Sequence, residues 1–405
     1  MRVLCFALPE RGHLNPLLPT LRRLVDGGHE LVIACTVDVA DAFKHAGIKA
    51  RVKVLSSPAL PERVTRGAEF AERLRDPAWL SSWIEALLID GVPALVPACA
   101  AALQVEQPDV VVVDPMFYAA VIACEKARVP WAAVSSSLNP VTPSSWSTPL
   151  VSTLERVGEK RRRLFSGRNL APPIFAVADA ISPWLTIVFS SSDYVGGDVA
   201  GVHLVGATFD EGDLKQRGDE VEFDWSRLRD SERIYVSFGS QAFHQPALFQ
   251  KVFAAAEARG FQVIASVGDL VDDAAFVASA PKHAVLARYT PQLEVLFRVD
   301  AVVSHGGANS VVEALWFGRP LLLLPLCNDQ PLQARFLEAA GAGACLDASS
   351  GDVDTAALGA ALDTAIAAKT RAEAIATSLK AAGGPQRAAA LIEQLGTTKR
   401  PVPTP

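Results

Sequence analysis

VVSHGGANSVVEALWFGRPLLLLPLCNDQ, residues 302–330, reads as a short strand, a His-Gly-Gly turn, a helix, a second buried strand and an acid–amide pair. The apolar runs 302–304 and 321–324 are short and unbroken, as in strands covered on both faces. Residues 308–317 between them form the helix. Gly306 and Gly307 are expected to take positive φ and to let the backbone approach a ligand closely. The helix turns its free N–H groups and the positive end of its dipole back toward that turn. A strand, a glycine turn and a helix N-terminus together suit a phosphate group. His305 and the pair Asn309–Ser310 add side-chain donors at the same mouth. Glu313 lies one helical turn beyond Asn309 on the same face, where a carboxylate can accept from nucleoside hydroxyls. Asp329 and Gln330 follow the second strand and so return to the same edge of the sheet.

Upstream, RYTPQLEVL occupies residues 288–296. The two stretches together resemble the donor-sugar signature of the UDP-glycosyltransferase family (glycosyltransferase family 1), whose bacterial members include natural-product enzymes. The resemblance implies His305 on a donor phosphate, with Gly307, Asn309 and Ser310 around the diphosphate. It implies Glu313 on the ribose and Asp329 and Gln330 on the sugar hydroxyls. Tyr289 would stack on the base, where the plant members carry Trp, and Gln292 would meet the base or ribose. Further back, a strand at 233–238 ends in a Gly239–Ser240 turn, and the resemblance places Ser240 on the donor phosphate.

At the start of the chain, residues 2–8 read as a buried strand and GHLNP, residues 12–16, as the turn into a helix. Asn15 is expected to cap that helix and Pro16 to open it. Leu14, Leu17, Leu18, Leu21, Leu24 and Val25 recur at helical spacing, Gly27–Gly28 end the helix, and residues 30–36 return as a strand. This is a βαβ unit, which implies a parallel sheet with ligands beyond the carboxyl ends of its strands. His13 lies at that edge, and so does Asp114, which ends the valine run 110–113. An imidazole titrates near neutrality and suits proton removal from a hydroxyl, and a carboxylate can fix its tautomer. Read alone, the histidine could equally cap a helix or face solvent, and the aspartate could cap the next helix. GHxNP so near the N-terminus also resembles the same family, and implies His13 as catalytic base with Asp114 as its partner.

The chain has 405 residues, too many for one core, so two domains are expected. The boundaries read as 1–195 for an acceptor-binding domain, 196–218 for a linker and 219–384 for a nucleotide-sugar domain. The resemblance implies that a terminal helix at 385–396 crosses back to the first domain, and 397–405 reads as a frayed tail. Segments 56–100 and 135–185, with Phe70, Trp79, Trp83 and Trp146, would wall the acceptor pocket in this family. Met116 and Phe117 stand beside Asp114. A net charge of −6 argues against a nucleic-acid partner, and the basic run 160–163 reads as a solvated face. Six scattered cysteines without a CxxC pair read as core residues in a reducing compartment. The apolar run 3–9 is too short for a signal peptide, and no stretch is read as a membrane span. A cytoplasmic protein without stable membrane insertion is therefore expected.

These readings converge on an α/β protein of the GT-B class, two Rossmann-like domains with parallel sheets facing across a cleft. The implied reaction is inverting, metal-independent transfer of a hexose to a hydroxyl of a lipophilic small molecule such as a polyketide, macrolide, terpenoid or flavonoid. The co-substrate would be a nucleotide sugar, UDP-glucose, with no prosthetic group. A dTDP-deoxysugar enzyme is the alternative. A GT-B sugar-nucleotide epimerase and an inactive binding subunit stand further off. A dinucleotide oxidoreductase is disfavoured because no GxGxxG follows the first strand. Nothing in the residues names the acceptor or the oligomeric state.

Overall fold

Four consecutive valines, Val110–Val113, are all buried and pair in parallel with Arg2–Phe6 in the register Phe6↔Val113. β-Branched side chains fit such a doubly covered strand. Around this pair the first sheet has seven parallel strands in the order Arg51–Val54, Glu30–Cys35, Arg2–Phe6, Val110–Val113, Trp131–Ser135, Leu185–Val188 and His203–Leu204. The strand that follows Arg2–Phe6 in sequence lies on its other flank, so the order reverses between Arg2–Phe6 and Val110–Val113. A reversal of this kind sends the crossovers to opposite faces and opens a crevice at the strand ends. His13 and Asp114 follow these two strands.

The second sheet repeats the device. Its six parallel strands run Val285–Ala287, Gln262–Ser266, Arg233–Ser237, Ala301–Ser304, Leu321–Leu323 and Gly343–Cys345. The reversal falls between Arg233–Ser237 and Ala301–Ser304, where Ser237 pairs with Ser304. Gly239, Ser240 and His305 leave the sheet at that point. The protein thus has the two Rossmann-like domains expected of the α/β class. The computed structural model describes residues 1–56, 66–214, 221–350 and 352–404. The end of the expected linker, 215–218, the expected start of the second domain at 219 and the last tail residue, 405, lie outside the described residues.

Among the described residues, segments of each half pack into the core of the other. Gly67–Arg73 precedes the second half in sequence, yet Phe70 and Leu74 join the apolar core of the second sheet. The Gly67 N–H donates to the Gln241 carbonyl at 3.3 Å. In the other direction Gly384–Thr398 packs on Leu18–Asp26 and Val110–Val113, burying Ile392 and Leu395 in the first core.

Several expectations change. Asn15 does not cap the long helix and Pro16 does not open it. Arg11–Leu14 is itself one helical turn, closed by Glu10 O accepting from the His13 and Leu14 N–H groups, and Asn15 ends it. The next helix is Leu18–Asp26, with Leu17 at its N-cap. Within the segment read as linker, His203–Leu204 is a strand of the first sheet. The tail is docked, because Val402 is buried and its N–H donates to Trp184 O at 2.8 Å. Gly307 has φ −61, so only Gly306, at φ +89, uses the left-handed region.

One run does meet the length and composition of a membrane span, contrary to expectation. Pro77–Glu106 has 30 residues and holds an 18-residue window with a mean hydropathy of 1.9. It is a helix, a π-helical turn at Ala86–Asp90 and a second helix, and Ile84, Leu88, Val92 and Cys99 bury into the first core.

Candidate active site

The two strand-order reversals face each other across a cavity of about 720 Å³. From the first domain, Arg2–Phe6 runs into the turn Arg11–Leu14 and delivers His13 to this cavity. Asp114 lies behind it, 1% exposed, and accepts from His13 Nδ1 through Oδ2 at 2.7 Å. Its Oδ1 accepts from the Met116 N–H at 3.0 Å, which fixes the carboxylate plane. Ser136 Oγ stands 3.2 Å from the same His13 nitrogen. Burial disfavours the imidazolium, but the Asp114 carboxylate outweighs it, with help from Glu10 and Asp179. The His13 pKa rises to about 9. Once the ring has shed that proton, Nδ1 still donates to Asp114, and Nε2 carries the free lone pair and can take a proton. This is the geometry of a general base with its orienting acid.

The second domain supplies the opposite wall. His305 is wedged between two glycines: a Cβ on Gly239 would lie 2.6 Å from its Nε2, and one on Gly307 2.8 Å. Gly239 also has φ +76, so no other residue fits there without strain. Burial lowers the His305 pKa to about 4, so the ring is neutral and can act as a donor without charge. The helix Ala308–Trp316 begins at Gly307 with no side-chain cap, leaving its first N–H groups to a ligand.

The side chains along that helix are tied together. Gln292 Nε2 donates to Glu313 Oε2 at 2.6 Å and to Ser310 Oγ at 3.3 Å. Its Oε1 accepts from Tyr235 Oη at 3.3 Å. Gln292 therefore orients Glu313, which is 1% exposed, and its own amide has less freedom to read a base. Gln330 Oε1 accepts from the Leu326 and Cys327 N–H groups at 2.8 and 3.0 Å. That carbonyl shapes the loop, and only its amide N–H₂ can serve a sugar. Asp329 is half-buried beside it. Burial raises its pKa, opposed by the attraction of His13 across the cleft.

Two contacts join the walls. Asn309 Nδ2 donates to Gly12 O at 2.8 Å, so in this state its amide holds the first domain. The Arg11 guanidinium lies over the Tyr289 ring, 5.1 Å from its centroid, on a surface where a base could stack. Ser240, Tyr289, Gln292, His305, Gly307, Asn309, Ser310, Glu313, Asp329 and Gln330 all line the cavity with His13. The first domain adds an apolar flank of Leu8, Trp83, Ile84, Leu88, Met116 and Leu150. Among the described residues no group of three or more His, Cys, Asp or Glu side chains comes together as a metal site.

The sequence reading missed Arg11, Ser136 and Asp179. Arg11 directly precedes GHLNP and could have been marked by its place. Ser136 and Asp179 carried no signal, because only the fold brings them to His13.

Comparison with known proteins agrees with this geometry. Residues 233–394 match the glycosyltransferase family 28 C-terminal domain. The NDP-glycosyltransferase YjiC of Bacillus subtilis (strain 168) is 26% identical over 394 residues, covering 95% of each chain. The oleandomycin glycosyltransferase of Streptomyces antibioticus is 27% identical, covering 96% of this chain and 89% of its own. The crystal structure of the kitacinnamycin glycotransferase superposes with a TM-score of 0.75 at 23% identity, covering 97% of this chain and 98% of that one. With a histidine–aspartate pair and an uncapped helix N-terminus facing one another across a single cavity, the chain is a glycosyltransferase with the GT-B fold.

Proposed function

We propose that the protein transfers glucose, with inversion, from UDP-glucose to a hydroxyl of a lipophilic small molecule. His13 Nε2 takes the proton as the acceptor oxygen attacks the anomeric carbon, and Asp114 holds the imidazole in the required tautomer. The diphosphate leaves against the N-terminus of Ala308–Trp316, with Ser240, Ser310 and neutral His305 as donors. Preorganised dipoles of this kind stabilise developing charge without a metal ion. Tyr289 carries the base once Arg11 has moved aside, Glu313 accepts from the ribose, and Asp329 with the Gln330 amide meets the sugar. The flank from Trp83 to Leu150 takes an apolar aglycone such as a polyketide, macrolide, terpenoid or flavonoid.

The observation that carries this reading is the 2.7 Å His13–Asp114 pair, which faces the donor residues across one cavity. A dTDP-deoxysugar is the second reading. It is favoured by Gln330, whose carbonyl already serves Leu326 and Cys327 and so leaves the sugar one acceptor fewer. The test is turnover of UDP-glucose, UDP-galactose, dTDP-glucose and a dTDP-2,6-dideoxyhexose with mixed hydroxylated aglycones, read by mass spectrometry. UDP-glucose should give the highest kcat/KM. Preference for the dideoxy donor would replace this reading by the second, and turnover without any acceptor product would remove both.

A further inference from the structure

Among the buried carboxylates that the mechanism above does not use, Asp179 is the one whose charge acts on His13. Asp179 lies in the hairpin of Phe175–Ala176 and Asp179–Ala180 and is 1% exposed. Among the described residues no arginine or lysine forms an ion pair with it; its partners are neutral. Ser135 Oγ donates to Oδ2 at 2.5 Å and Asn139 Nδ2 to Oδ1 at 2.7 Å. These two donors are the ends of a short loop. Inside it, Ser135 Oγ accepts from the Ser137 N–H at 3.2 Å and Ser137 Oγ from the Asn139 N–H at 3.1 Å. The residue between them, Ser136, is the one 3.2 Å from His13 Nδ1.

The hairpin is itself pinned to the other half of the pair. The Ala180 N–H donates to Pro115 O, next to Asp114, at 3.1 Å. Tyr118 Oη and Arg161 donate to the Ala178 and Val177 carbonyls at 2.5 and 2.6 Å. One rigid element thus grips both the turn that carries Asp114 and the loop that carries Ser136.

We propose that Asp179 is a positioning residue for the base: it holds the Ser135–Asn139 loop against His13 and sets a second negative charge behind the imidazolium. This rests on the reading of His13 as the proton acceptor. Asp114, Glu10 and Asp329 are the other carboxylates that act on His13, while Arg161 sits behind the hairpin on the Phe175 ring. Burial raises the Asp179 pKa to about 7, and Asp114 adds to the rise, whereas Asn139, Ser135 and His13 oppose it. Asp179 is therefore anionic across the range in which His13 sheds its proton. It favours the protonated ring, and so moves the acid limb of activity upward in pH.

The experiment measures kcat, donor KM and the pH profile of kcat/KM for wild type, Asp179→Asn, Ser135→Ala and His13→Ala. Asp179→Asn keeps an acceptor for Asn139, removes the charge and turns an N–H₂ toward Ser135 Oγ, which can accept in place of donating. Its acid limb should move down by about half to one pH unit, kcat should fall about three- to tenfold, and donor KM should hold. Ser135→Ala keeps the charge and cuts the link to the loop, so kcat should fall about threefold or more with the limb in place. An unshifted limb in Asp179→Asn, or wild-type kcat in Ser135→Ala, overturns the proposal even if both proteins melt as wild type does. Wild-type turnover by His13→Ala instead overturns the underlying reading of the base.

Discussion

Replacing Asp114 by asparagine should be more damaging than replacing it by alanine. The carboxylate is fixed on both oxygens, with Oδ1 accepting from the Met116 N–H at 3.0 Å and Oδ2 from His13 at 2.7 Å. An asparagine must keep its oxygen toward Met116, since its N–H₂ cannot face another donor. Its N–H₂ then points at His13 Nδ1 and forces that nitrogen to accept. The proton moves to Nε2, the nitrogen that must be bare to receive the acceptor's proton. A wrong tautomer of this kind removes most of the general-base contribution, about 10²–10⁴-fold in kcat. Alanine imposes no tautomer, and Ser136 Oγ, 3.2 Å away, can accept from Nδ1–H in place of the acid. Asp114→Ala should therefore retain about tenfold more activity than Asp114→Asn. The assay is initial rate at saturating donor and acceptor, with calorimetric binding of the nucleoside diphosphate as a control that should not change. Equal rates for the two variants, or Asp114→Asn within threefold of wild type, would refute the tautomer argument.

Two further outcomes are expected. The His13 pKa of about 9 lies above the ordinary value, so the ring is protonated at neutral pH in the free enzyme. kcat/KM should climb as pH rises toward about 9, and a profile already flat at pH 7 would show that His13 does not limit it. By the same shift the ion pair stabilises the fold fully below the ordinary histidine pKa, and this contribution is lost as pH rises through about 9. At the ribose, a hydrogen bond to a charged acceptor is worth about 1.5–3 kcal/mol, so Glu313 should favour UDP-glucose over dTDP-glucose by about tenfold or more. Glu313→Ala should erase that preference and Gln292→Ala should weaken it, because Gln292 holds the carboxylate at 2.6 Å. Unchanged kcat/KM ratios in both variants would take Glu313 off the ribose.

The second-domain wall of the cavity was legible because it is local. Residues 288–296 and 302–330 hold nearly all of it, and a strand, a glycine turn and a helix can be laid out from spacing alone. Asp114 was legible for another reason: four valines must be buried, and the first polar residue after them must emerge at the sheet edge. What stayed hidden depends on register or docking. Glu313 was read as a ribose ligand, but its bond to Gln292, 21 residues earlier, needs the relative rotation of two helices. The contacts Asn309–Gly12 and Arg11–Tyr289 exist only once the domains have met. Asp179 sits in a hairpin with two residues per strand, and His203–Leu204 is equally short; neither can show an alternating pattern. The tail reads as polar and proline-rich, yet Val402 buries into the first core and Lys399 donates to the Asp109 carbonyl.

The crossing segments also bear on how such enzymes can be recombined. A chimaera that joins the first half of this chain to the second half of a relative at the segment between the domains would separate Phe70 and Leu74 from the core they complete. It would also set Ile392 and Leu395 against an unfamiliar surface. The inheritable unit is therefore not either half of the chain. A graft that carries Gly67–Arg73 and Leu74 along with the second sheet, and keeps Gly384–Thr398 with the first, preserves these two seams and leaves the packing of Trp146 and Tyr194 on Phe336 as the contact to be matched. The breakpoints of such exchanges are then set by side-chain packing and not by the order of the chain.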